Sequence, residues 1–216
     1  MSERGYEIVS LDDLDQLVSS DGALILSPLR RRLGFRPFGL NVWVARRAGD
    51  RVIEEHRETD GAEELYVVVR GTARFTVGDA ELDAPVGTLV HTPPGTRRGA
   101  IGLEDDTRVL AMGAKPGEAF APSGWEDFFV AFAHLREGDE AAGRAAMDEA
   151  LGREPDAWQG AYNAACFEAL AGNADAAFAR LQTALERNRE GVEPYLATDD
   201  DLQSLRSDPR FAELVR

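Results

Sequence analysis

Ser10 to Val18 places leucines at 11, 14 and 17 behind a serine and an acidic first turn, a spacing that predicts a short amphipathic helix ending before Ser20-Asp21-Gly22. From Gly39 to about Met112 the period shortens to two. LNVWVARR, LYVVV, ARFTV, AELDA, TLVHT and TRVLAM are β-rich runs separated by Gly, Asp and Pro, with Gly78-Asp79 as a hairpin signal and Pro93-Pro94-Gly95 as a rigid loop. Many short strands at this spacing predict a sandwich or barrel. After Gly124 the period becomes helical, and Trp125, Phe128, Phe129, Phe132 and Leu135 form one apolar stripe.

The helical part repeats itself. A shift of 34 residues lays Ala131 on Ala165, Gly138 on Gly172, Ala142 on Ala176, Ala145 on Ala179, Ala150 on Ala184 and Leu151 on Leu185. Small residues where helices cross, with Gly at the turn between them, predict two helical hairpins. Beyond them, Asp199-Asp200-Asp201 and Ser207-Asp208-Pro209 are two further helix starts, read as terminal capping helices.

A change of pattern at Gly39 and another across the segment PGEAFAPSG divide the chain into three parts: an arm at 1–38, a β-barrel at 39–122 and a helical domain at 123–216. The 216 residues carry a net charge of −15, which disfavours nucleic acid and anionic membrane surfaces as partners. Arg30, Arg31, Arg32 and Arg36 form the only basic run, and a solvated loop or an anion contact accounts for it. A single cysteine, Cys166, and the lack of an apolar leader lead us to expect a reducing, cytoplasmic setting. One lysine against 23 arginines suggests a GC-rich bacterial coding sequence.

Two motifs carry the chemistry. Glu64, six residues and Gly71 (ELYVVVRG) follow His56-Arg57-Glu58, and Gly87 precedes Pro93-Pro94-Gly95, Arg98 and Gly102. This pattern resembles the cupin superfamily, whose first motif has His-x-His ahead of Glu and Gly and whose second has a His after Pro-x-Gly. The resemblance covers roughly Gly39 to Lys115 and implies a double-stranded β-helix (jelly roll) holding Mn, Fe, Ni or Zn on three His and one Glu, with a substrate entering at the barrel mouth. Here Glu58 stands for the second His and Arg98 for the third. A guanidinium has no usable lone pair and keeps its charge, so it repels a divalent ion. Arg98 can instead pair with Glu64 or Glu58, or face the cavity and clamp a carboxylate or phosphate.

Two functions follow. One is a metal-poor cupin binding a small, anionic ligand through Arg98, Glu64, His56 and Glu58, with no cofactor. The other is a metal-dependent oxygenase, isomerase or lyase using His56, Glu58 and Glu64, with His91 as a weaker fourth ligand. His56 and Glu58, two apart, are expected to share one strand face. Cys166 reads as an inert packing thiol.

The 34-residue period resembles the tetratricopeptide repeat, which implies a docking surface for a protein partner or for the chain's own barrel. Cupin barrels commonly pair through their sheets, so the same resemblance implies a homodimer.

Overall fold

The computed structural model describes residues 6–19, 22–122 and 124–214. The chain divides into two compact units, Met1–Pro122 and Ser123–Arg216.

Among the described residues of the first unit, ten strands form two antiparallel sheets. They are β1 (Leu17–Val18), β2 (Ile25–Ser27), β3 (Gly39–Ala45), β4 (Arg51–His56), β5 (Glu63–Arg70), β6 (Thr72–Val77), β7 (Ala80–Pro85), β8 (Leu89–Thr92), β9 (Arg98–Gly102) and β10 (Thr107–Ala114). One sheet has the order β1-β2-β3-β10-β5-β8 and the other β4-β9-β6-β7. Each β-rich run of the sequence becomes a strand because its alternate residues fill one interior. Ala45, Tyr66, Val68, Val90 and Val109 from the first sheet meet Val52, Ile53, Ala73, Phe75, Ala84 and Ala100 from the second. The turn from β5 to β6 needs Gly71, whose φ is +68° and whose missing Cβ would stand 2.6 Å from Thr107 Oγ1.

The arm departs from expectation. Only Leu11–Asp13 turns, as one turn of 3-10 helix capped by Ser10, and Leu14 is already extended. Leu17 and Val18 pair with Leu26 and Ile25 as strand β1, so the helix predicted over 10–18 does not form; Ser20 and Asp21 lie outside the described residues. Tertiary contacts override the local spacing. Leu14, Ile25 and Leu29 pack on Val42 and Val44, which gives β3 a core on both faces. Charge fastens the arm. Arg108 donates to the Leu11 carbonyl at 2.6 Å, and Arg70 bridges Asp12 and Asp106 at 2.8 and 2.6 Å. The basic run is not a solvated loop: Leu29–Leu33 is a short helix, α1, with Arg30 buried and Arg32 paired to Glu7.

The second unit contains α2 (Trp125–Arg136), α3 (Glu140–Arg153), α4 (Trp158–Leu170), α5 (Ala174–Leu196), a 3-10 helix at Asp200–Leu205 and α6 (Pro209–Leu214). Helices α2 and α3 pair, as do α4 and α5. Residues matched by the 34-residue shift occupy matching places: Ala131 and Ala165 are wholly buried, and Gly138 and Gly172 both have positive φ. The apolar stripe of α2 is broader than the sequence suggested. Trp125 is exposed, whereas Val130, Ala131, Phe132 and Ala133 are buried, because α2 packs against both α3 and α4. Asn188 breaks α5 with φ −157° and ψ 84°, and its Oδ1 accepts from Gly191 N to start a new helical segment that buries Val192 and Leu196.

Candidate functional site

The register of the strands builds the site. On the inner face of the first sheet, Glu64 stands opposite Gly113 on β10 and Thr92 on β8. A Cβ at Gly113 would come 3.2 Å from Glu64 Cγ, so the glycine makes room for the carboxylate. On the second sheet Arg98, the first residue of β9, pairs with His56 at the end of β4 and with Val77 of β6. The two sheets thus bring an acid and a base together across the interior.

Arg98 has a fully buried side chain. Its Nε donates to Glu64 Oε2 at 2.9 Å and lies 3.3 Å from the Tyr66 hydroxyl, while one terminal nitrogen donates to the Thr96 carbonyl at 3.0 Å. The other terminal nitrogen pairs closely with Glu64 Oε2 and lies 3.8 Å from Glu58. The Tyr66 hydroxyl also donates to Glu64 Oε2. Burial alone would raise the Glu64 pKa, but bonds from His56, Tyr66 and Arg98 outweigh it and hold the carboxyl below its usual range. Burial pushes the Tyr66 phenol up, and the adjacent Glu64 charge adds to it.

His56 and Glu58 are the accessible members, each with about a third of its side chain exposed. His56 Nδ1 lies 2.7 Å from the Glu54 carbonyl, an acceptor only, so Nδ1 carries the proton and Nε2 faces the site. Nε2 stands 3.4 Å from Glu64 and 3.6 Å from Glu58. The bond to Glu64 lifts His56 above the usual histidine range, against its burial. Glu58 is also raised, first by burial and then by the Glu64 charge. It does not share a strand face with His56. β4 ends at His56, and Glu58 sits in the following loop, which is pinned where Gly95 N donates to the Glu58 carbonyl at 2.8 Å.

The ligand atoms of His56, Glu58 and Glu64 lie within 4.8 Å of one another, as a cation site requires. The donor set nevertheless does not fit a divalent ion. Glu64 Oε2 already receives the Tyr66 hydroxyl and two Arg98 nitrogens, and a permanent positive charge stands among the three candidates. His91 does not join them. It pairs with Leu65, the outward position between Glu64 and Tyr66, and contacts Glu63 at 3.2 Å. Tyr66 was missed by sequence reasoning, although a residue two beyond Glu64 on a strand must share its face.

A second group of potential ligand atoms, Cys166, Asp199 and Asp201, lies in the helical unit. Asp199 accepts from the Tyr162 hydroxyl at 2.7 Å and from Asp201 N at 3.0 Å, and Cys166 Sγ stands 3.8 Å from it. Burial, with the charges of Asp199 and Asp201, pushes the Cys166 thiol far up, as befits a packing residue.

Residues 43–112 match the family model described as "Cupin domain". No curated protein matches the chain. Among solved structures, a predicted oxalate decarboxylase of Thermotoga maritima is 14% identical, with 50% of this chain and 99% of that one covered and a TM-score of 0.43. A cupin-superfamily sugar phosphate isomerase of Silicibacter pomeroyi is 16% identical over 50% and 76% of the two chains, with a TM-score of 0.44. KdgF from a Halomonas species is 14% identical over 50% and 92%, with a TM-score of 0.39. The match to the cupin-domain model thus falls within the two antiparallel sheets, and the chain has a cupin-like antiparallel β-sheet domain followed by a helical region.

Proposed function

We propose that the cupin barrel binds a small polar molecule without a metal, using His56 and Glu58 as its accessible contacts. The observation that carries this reading is the Arg98 guanidinium. It occupies the ligand set as a built-in cation, with Nε and both terminal nitrogens engaged by Glu64, Tyr66 and Thr96. The same observation weighs against an anionic ligand on Arg98, because Nε and both terminal nitrogens are already spent on Glu64, Tyr66 and Thr96. With two carboxylates and one guanidinium, the site is net negative while His56 is neutral and uncharged when it is protonated. The helical unit, with its tetratricopeptide-like period, serves in this reading as a docking surface for a protein partner.

A second reading, a metal-dependent enzyme, draws on the mutual 4.8 Å proximity of His56, Glu58 and Glu64. Elemental analysis of protein purified without chelator separates the two. We expect clearly less than one equivalent of transition metal. Arg98→His should raise zinc affinity by restoring a nitrogen donor and removing the repulsion. Stoichiometric metal in the wild type, lost on His56→Ala, would establish the enzyme reading instead.

A further inference from the structure

Asn41 points into the barrel from β3. It is only 4% exposed, and its Oδ1 has no hydrogen-bond partner among the described residues. Its cross-strand neighbour on β10 is Ala111, which has no side-chain donor to offer it. A buried amide oxygen left alone is disfavoured, so its presence points to a partner supplied from outside the chain.

The register shows where that partner lies. Asn41, Ala111 and Tyr66 form one inward row across β3, β10 and β5, and Gly39, Gly113 and Glu64 form the next. With strands about 4.8 Å apart and a two-residue step of about 6.8 Å, the Asn41 Cα stands about 12 Å from that of Glu64. The rectangle they define is completed by Ala111, Gly113 and Gly39, which are small, and by Tyr66, a buried ring whose hydroxyl is already spent on Glu64, so the floor is low on the β3 and β10 side. The Phe120 ring lies over Gly39, 3.7 Å from where a Cβ would be, and supplies an apolar wall. Such a span suits one ring-sized or short-chain molecule, polar at both ends.

Its chemistry follows from the groups that meet it. An amide sets an acceptor beside a donor, which a hydroxyl complements on both counts. Glu58, when ionised, only accepts, and the site's cation is sealed. We infer that Asn41 determines specificity in this barrel, engaging a hydroxyl of a neutral polyhydroxylated small molecule whose other end meets Glu58 and His56. This rests on the reading of the barrel as a small-molecule site.

The full chain is tested by thermal shift and calorimetry with myo-inositol, D-glucose and D-mannitol, and with D-glucuronate and glucose phosphate as charged counterparts. At least one neutral probe should bind saturably, and the charged counterparts about tenfold or more weakly by comparison. Asn41→Leu should raise the ligand-free Tm of the barrel by about 4 °C, since it removes an unpaired buried oxygen, and should weaken the neutral probe about tenfold. If leucine misfits, Asn41→Ala supplies the binding readout in a folded protein. Binding lost on His56→Ala or Glu58→Gln but unchanged in both Asn41 variants would overturn the role of Asn41 and leave the site reading intact. A preference for the charged probes, or binding by none of the five, would overturn the ligand class. A lower ligand-free Tm in Asn41→Leu would show that the oxygen has a structural partner and would also overturn the inference.

Discussion

The described residues contain two clusters of potential cation ligands, and they are neutralised in different ways. In the barrel, His56, Glu58 and Glu64 surround a guanidinium, which consumes the inner carboxylate and leaves His56 and Glu58 as the accessible members of the site. In the helical unit, Cys166, Asp199 and Asp201 are stitched into the fold itself, with Asp199 holding the Tyr162 hydroxyl and the start of the 3-10 helix. Proximity of ligand atoms is common to both. What separates a candidate site from a structural knot is the lone pairs and protons left over after the fold has used its share.

The largest effect expected from disturbing this contrast is in the barrel. Arg98→Met leaves a mostly buried Glu64 carboxylate without its main partner and should lower barrel stability by about 3 kcal/mol in urea unfolding. Adding Glu64→Gln should recover much of that loss, because the uncompensated charge goes with it. A loss below about 1 kcal/mol would mean that the pair is solvated and the contrast is false. In the helical unit, Asp199→Ala removes a helix cap and the acceptor of Tyr162, for about 2 kcal/mol. Wild-type Cys166 should resist a thiol reagent until the unit unfolds, and prompt reaction in the native protein would contradict its burial. The smallest effect concerns pH. The His56 pKa is raised in the folded state, so its contribution to stability is complete below about pH 6.5 and is lost as pH rises through the folded value. The Tm difference between wild type and His56→Gln should therefore shrink from slightly acidic to alkaline pH, and a constant difference would show that Glu64 does not hold the imidazolium.

Much of this was legible in the chain. Six strands follow from alternation of residues, and the motif spacing picked out His56, Glu58, Glu64 and Arg98, which converge. β4 and β9 did not announce themselves, since RVIEEH and RGAIG mix charge, glycine and few apolar residues, and their pairing comes from distant partners. The helix expected at 10–18 failed for the same reason: Leu17 and Val18 answer to Leu26 and Ile25, not to their own neighbours. Asn41 was invisible because nothing local marks an asparagine as buried. His91 is more instructive. As a weaker fourth ligand it had to point inward, but pairing with Leu65 turns it outward, and a register cannot be read from one strand alone.

The ionic fastening of the arm has a consequence for how the barrel comes apart. The contact from Arg108 to Leu11 joins residues 97 positions apart, so it can close only after β3, β10 and β5 have assembled. An element that docks last tends to leave first, in local openings that hydrogen exchange detects. Acid favours such openings, because Asp12 and Asp106 have lowered pKa values and the stability they contribute is lost as pH falls through them. When the arm lifts with β1 and β2, β3 becomes an open edge with Val42 and Val44 bare, the kind of strand on which aggregation begins.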